Sequence, residues 1–275
     1  MSKDSSKTTE VAPKAVAVPG PAGHEDRPYA TVPWSPWAAV LYAILIFFAA
    51  QVLASMVVVL APRLLGWNAS RIDHWVNNSV VSQFWFVLMA EALTFYAIWW
   101  FVKRRGSTLR AIGWRGVRGW DAVSALSGFA VYFVGYAVLL GVATHLFPSI
   151  NVDQKQQLGF SDVSGGGSLI LTFVSLVVLP PLVEETVFRG FVFTGIRNKV
   201  RPVGAALITS ALFATAHLQF GSGKPLLWVA ALDTFTLSLV LCYLRHKTDS
   251  LWPGIFLHAL KNGLAFVTLY LIGTS

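Results

Sequence analysis

Long apolar runs separated by short polar segments set the pattern of this chain from Trp37 onward. Seven of them predict helices over roughly 37–61, 84–102, 122–147, 168–195, 203–219, 226–244 and 251–273. Each run is long enough to cross a hydrocarbon core of about 30 Å. The fourth differs from the rest. It opens with an apolar stretch from Ser168 to Val183, continues through charged residues to Ile196, and carries Pro180 and Pro181 in its middle. Proline lacks the N–H that continues a helix and crowds the preceding turn, so a kink or break is expected there. Counting the two halves separately would raise the total to eight spans. The fold class predicted is an all-α, polytopic transmembrane helix bundle, with N-terminal helices over 36–167 and a second helical region over 168–275.

Residues 1–35 are rich in Ala, Pro, Lys, Ser and Val and contain no apolar run, which predicts a disordered tail. The first apolar run lacks a signal-peptidase pattern, so it is expected to stay in place as the first span. Composition agrees with a membrane protein. Hydrophobic residues make up 55% of the chain and charged residues 12%, about half the charge of an ordinary soluble domain. The net charge of +8 does not indicate nucleic acid, because the basic residues lie in short loops beside apolar runs. Eleven of them, Lys103, Arg104, Arg105, Arg110, Arg115, Arg118, Arg197, Lys199, Arg201, Arg245 and Lys247, fall in one alternating set of segments. The other set holds only Arg63, Arg71, Lys155 and Lys224. The bias predicts a multi-pass cell-membrane protein with its N-terminus in the cytoplasm. Cys242 is the sole cysteine, which rules out an intrachain disulfide.

Ionisable side chains at bilayer depth are expensive, and each is a functional candidate. Here they are Glu91, Glu184, Glu185, Arg189, His217, Asp233, His258 and Lys261, most of them in the C-terminal half. Glu185 and Arg189 are four residues apart and can pair on one helix face. Glu184 is turned about 100° away, so it meets a different environment and suits a general base. The plainer reading of the same residues is a buried ion pair that holds helices together. His258 and Asn262 also share a helix face and could donate to a developing oxyanion; the plainer alternative is interhelical hydrogen bonding. His217 ends the fifth run. Two histidines, a glutamate pair with arginine and an asparagine can supply an activated water, a proton shuttle and oxyanion donors, the three needs of amide hydrolysis. Straight helices would leave Glu184, His217 and His258 at different depths, about 19, 21 and 11 Å from their basic-side ends. Tilt or the proline interruption has to bring them together.

The run Glu184-Glu185-Thr186-Val187-Phe188-Arg189-Gly190, then Phe213-Ala214-Thr215-Ala216-His217, then His258-Ala259-Leu260-Lys261-Asn262 resembles the CPBP family of CAAX proteases and bacteriocin-processing enzymes, also called Abi, over about 168–265. The resemblance implies an intramembrane endopeptidase acting near the terminus of a membrane-associated protein or peptide. It implies Glu184 as the base that activates water with help from His217, His258 and Asn262 at the oxyanion, and Arg189 holding Glu185. No cofactor is expected; under the older metalloprotease view Glu184, His217 and His258 would bind zinc. The partners implied are a peptide or protein substrate and the bilayer, with no nucleic acid. Two other functions compete: a non-catalytic scaffold or immunity protein keeping the motif for structure, and a transporter relaying protons through Glu91 and Asp233.

Overall fold

The computed structural model describes residues 31–154, 159–160, 163–218 and 225–273. Among them every regular element is helical. In chain order these are α1 (Pro36–Leu64), α2 (Ala69–Asn78), α3 (Val80–Arg104), α4 (Gly119–Leu146), α5 (Gly166–Arg197), α6 (Pro202–Ala216), α7 (Trp228–Thr248) and α8 (Trp252–Leu271). Six of them, α1, α3, α4, α5, α7 and α8, are long and apolar enough to cross a bilayer. The chain folds as an all-α polytopic membrane bundle. The fifth predicted run is the exception to the expectation that each crosses alone. α6 has 15 residues, about 22 Å of helix, because the chain leaves helical geometry at His217. The short α2 was not foreseen; it carries no apolar run, and its start is set by Asn68, whose side chain accepts from the Arg71 N–H at 2.9 Å.

α5 is the central helix. It packs against α1, α3, α6, α7 and α8, while α4 rests on α7 and α8 from outside. Between Val183 and Ile196 nearly all its side chains are buried. The outer helices show the reverse: Leu45, Phe48 and Val52 on α1 and Leu126, Phe133 and Val134 on α4 are exposed, an apolar surface suited to lipid. α1 turns a seam of small residues inward, Ala39, Ala43, Ala50 and Ala54, which lets α3 approach closely.

Pro180 and Pro181 do not break α5. The chain widens into a π-helical stretch at Val174–Val178, and both prolines fall in the first turn of the α-helical stretch that follows, Leu179–Glu185. Proline at position 180 cannot donate to the Leu176 carbonyl. That carbonyl instead accepts from the side-chain amide of Asn262 on α8, at 3.0 Å. A neighbouring helix thus satisfies the backbone group that the proline frees, as a bilayer demands. The expected interruption is a widened turn, and α5 remains one element.

Residues 1–30 of the predicted tail lie outside the described residues, and the part nearest α1 is packed. Val32 and Trp34 are buried. The Asn198 side chain donates to the Val32 carbonyl at 2.7 Å and to the Trp34 carbonyl at 3.3 Å. The Trp34 indole N–H donates to the Phe191 carbonyl at 3.4 Å, and its ring lies 5.1 Å from that of Phe191. Gly195 makes the seat, since a Cβ there would meet Trp34 at 2.8 Å. Trp34→Ala is expected to cost about 3 kcal/mol, the scale of deleting a buried aromatic. Unfolding in detergent titrations measures this, against an unchanged response for the exposed Trp37→Ala.

Candidate active site

Glu185 ends the α-helical part of α5, and a second π stretch, Thr186–Val192, follows it. Arg189 Nη1 reaches Glu185 Oε1 at 2.9 Å, with both side chains shut off from solvent. This is the pairing expected from their spacing. The same oxygen lies 3.1 Å from His258 Nδ1. Because a carboxylate paired with arginine only accepts, Nδ1 carries the proton in that bond. α8 comes this close because residue 254 is glycine: a Cβ there would stand 2.9 Å from Glu185 Oε2. The Arg189 guanidinium is finished on its apolar side by Phe213, whose ring centre is 4.4 Å away, a cation–π contact made in a desolvated site. The Cys242 thiol lies against the same guanidinium.

Glu184 points elsewhere, as the helical turn requires. Its side chain is partly exposed, but its Oε2 is buried and has no hydrogen-bond partner. His258 Nε2 stands 3.8 Å from that oxygen, too far for a direct hydrogen bond. His258 therefore spans consecutive glutamates, held by one and facing the other.

The remaining expected residues stand differently. His217 Nδ1 lies 2.8 Å from the Phe213 carbonyl, and the Phe213 ring lies between the two histidines, 4.6 Å from His217 and 6.0 Å from His258. Among the described residues no ion pair joins His217 to Glu184. Asn262 is one turn beyond His258, but its amide is engaged by the Leu176 carbonyl. The zinc alternative needs Glu184, His217 and His258 to converge. Among the described residues no three histidine, cysteine or acidic side chains do so.

Asp233 belongs to a separate network. Lys261 Nζ sits 2.8 Å from its carboxylate and the Tyr132 hydroxyl donates to it, which ties α4, α7 and α8 together. Thr234 and Thr236, its neighbours, donate instead to their own preceding turn. One contact had no signal in the motif: the Trp114 indole N–H donates to Thr186 Oγ1 at 3.1 Å. The loop after α3 thereby closes over the site, with the Leu251 N–H donating to the Gly113 carbonyl at 3.0 Å.

A family model described as type II CAAX prenyl endopeptidase, Rce1-like, matches residues 166–264, from the start of α5 to beyond Asn262. This stretch is similar to the Rce1-like type II CAAX prenyl endopeptidases. YdiL of Bacillus subtilis (strain 168), described as a candidate membrane peptidase, is 26% identical over 144 residues, 52% of this chain and 54% of its own length. An uncharacterized 24.3 kDa protein of Escherichia coli is 37% identical over 103 residues, 36% of this chain and 45% of its own. The UPF0177 protein YxdF of Lactococcus lactis subsp. lactis (strain IL1403) is 28% identical over 124 residues, 45% of this chain and 62% of its own. The chain thus spans about half the length of the curated relatives it matches. No solved structure matches it.

Within the Rce1-like region the buried pair sets a stability test. Arg189→Met leaves Glu185 charged and without its guanidinium, a loss of about 3–5 kcal/mol. The same change made in a Glu185→Gln background is expected to cost much less. Detergent unfolding of the four proteins of this double-mutant cycle measures the difference.

Proposed function

We propose that the protein is an intramembrane endopeptidase that hydrolyses a peptide bond near the terminus of a membrane-associated protein or peptide. The observation that carries this reading is His258 between consecutive glutamates, 3.1 Å from Glu185 and 3.8 Å from the unpartnered Glu184 oxygen. Arg189 and Glu185 orient the imidazole, as a carboxylate orients the histidine of a hydrolytic triad. Glu184 then takes a proton from water as the water oxygen attacks the carbonyl carbon. The carbonyl electrons move onto oxygen, and His258, as the imidazolium, donates from Nε2 to the resulting oxyanion; on collapse the carbonyl re-forms, the C–N bond breaks with its electron pair going to nitrogen, and Glu184 returns the proton to that nitrogen. Asn262 joins the chemistry only by releasing the Leu176 carbonyl it now holds, whereas His217, bound at Nδ1 to the Phe213 carbonyl, has Nε2 as its second ring nitrogen for a proton transfer. The excess of basic residues in one set of loops supports a cytoplasmic N-terminus, with the Trp114 end of the site on the same side.

A non-catalytic scaffold of the same family is the second reading. It is favoured by the bond from Asn262 to Leu176, which gives a motif residue a purely structural task.

The test is cleavage in proteoliposomes of quenched peptides with and without a prenyl group. Glu184→Gln is expected to lower kcat by about 10³-fold, within the range for a lost general base. Chelators are expected to leave turnover unchanged. Turnover retained without Glu184 contradicts the assignment, and loss on chelation with recovery on added zinc moves the same residues to metal binding.

A further inference from the structure

The loop from Arg105 to Arg118, between α3 and α4, borders a cavity of about 560 Å³ whose lining includes Leu109, Arg110, Trp114, Arg115, Val117 and Arg118. Among the described residues no acid lines it. The acid at its edge, Asp121, is already engaged. Its two oxygens hold Arg115 at 2.7 and 3.0 Å, and one of them also accepts from the Arg118 backbone N–H at 2.7 Å. Among the described residues no acid pairs with the side chain of Arg110 or Arg118, and both residues are exposed. Two guanidinium charges therefore line one cavity with no carboxylate of the chain to neutralise them.

The frame that presents them is fixed. The Leu251 N–H donates to the Gly113 carbonyl at 3.0 Å, the Trp252 indole N–H to the Arg115 carbonyl at 2.6 Å, and Arg245 Nη2 to the Ala111 carbonyl at 3.4 Å. Trp114, part of the cavity wall, is itself held by Thr186. Walls ordered in advance lose little entropy on binding. The flanking helix ends mark the depth. Lys103 lies 5.0 Å over the ring of Trp99 and Arg104 4.9 Å over that of Trp100, in the last turns of α3. Trp120, in the first turn of α4, is exposed. Tryptophan and basic residues side by side mark the level of lipid headgroups. From the rim at Val117, an exposed apolar surface continues along α4 through Trp120, Val123 and Leu126.

We propose that this cavity binds the phosphate of an anionic phospholipid, with Arg110 and Arg118 on the phosphate and the acyl chains along α4. The planar N–H fork of arginine matches phosphate oxygens two at a time. A zwitterionic phospholipid carries its own cation, which two unneutralised arginines repel, whereas an anionic headgroup brings only the charge they lack. A soluble phosphate satisfies the arginines and makes no use of the apolar rim. A lipid uses both, which is why the surface from Val117 to Leu126 favours it. The bound headgroup rests against Trp114, one side chain away from Thr186 and the candidate active site. Lipid binding here does not depend on whether that site is hydrolytic.

The experiment is native mass spectrometry of the full chain in mild detergent, with phosphatidylglycerol and phosphatidylcholine of equal chain length added in equal amounts. It reads binding without any turnover. Wild type is expected to retain one phosphatidylglycerol in preference to phosphatidylcholine by about tenfold. The double variant Arg110→Gln, Arg118→Gln is expected to bind phosphatidylglycerol about 20-fold more weakly, since each basic residue at an anionic headgroup is worth about fivefold. Lys199→Gln with Arg201→Gln removes the same charge from the loop between α5 and α6 and is expected to bind like wild type. Equal weakening in the two double variants makes the preference a property of net charge and overturns the site. Equal retention of both lipids by wild type overturns it as well. Millimolar inorganic phosphate is expected to leave the lipid in place; displacement assigns the cavity to a soluble phosphate and overturns the lipid. A last measurement needs no variant. Phosphatidylglycerol is expected to protect Arg110 and Arg118 of wild type from phenylglyoxal, read by peptide mass spectrometry, and phosphatidylcholine is not. Modification of both arginines unchanged by phosphatidylglycerol contradicts the proposal.

Discussion

A guanidinium removed from water must be neutralised, and part of the C-terminal bundle meets at Arg189, whose Nη1 is held by Glu185 while its buried Nε and Nη2 have no hydrogen-bond partner among the described residues. Glu185 supplies the charge from the preceding turn, Phe213 of α6 covers one face, and Cys242 of α7 lies alongside. His258 of α8 completes the cluster through the carboxylate that arginine holds. Four helices therefore meet at one ion pair. A pair this deeply buried is weak evidence for net stability, because desolvation consumes most of the Coulomb gain. Its value lies in geometry: it fixes where the His258 ring stands, and so where Nε2 faces Glu184.

The second constraint is the bilayer's intolerance of unpaired backbone groups. Pro180 and Pro181 free carbonyls in the middle of α5, and the structure answers with a π stretch and a side-chain amide from α8. That bond places Asn262 against α5 one turn beyond His258, so the residue that repairs the helix also sets the position of the histidine. Widened turns on either side of Glu184 and Glu185 let two adjacent acids serve different ends, one locked in an ion pair and the other left with an unpartnered oxygen.

How much of this was legible in the sequence depends on the range of the interaction. Membrane spans follow from local apolar runs, and the Glu185–Arg189 pair follows from helical spacing alone. Interactions between distant segments were not legible. Nothing local pairs Asp233 with Lys261, or turns the Asn262 amide to Leu176, since both depend on how helices far apart in the chain cross. Val32 and Trp34 read as the end of a polar tail because their burial depends on a groove formed by Gly195 and Phe191. α6 read as a full span because apolar residues continue past the point where His217 ends the helix.

The central claim is that Glu184 activates water and is never itself acylated. A single turnover in water carrying a heavy oxygen isotope, with enzyme in excess over a cleaved peptide, tests it most directly by mass spectrometry of both product and enzyme. The account predicts the heavy oxygen in the new C-terminal carboxyl of the product from the first turnover and none in the peptide containing Glu184. Label in the Glu184 carboxylate, with unlabelled first-turnover product, would contradict it and make this glutamate a nucleophile.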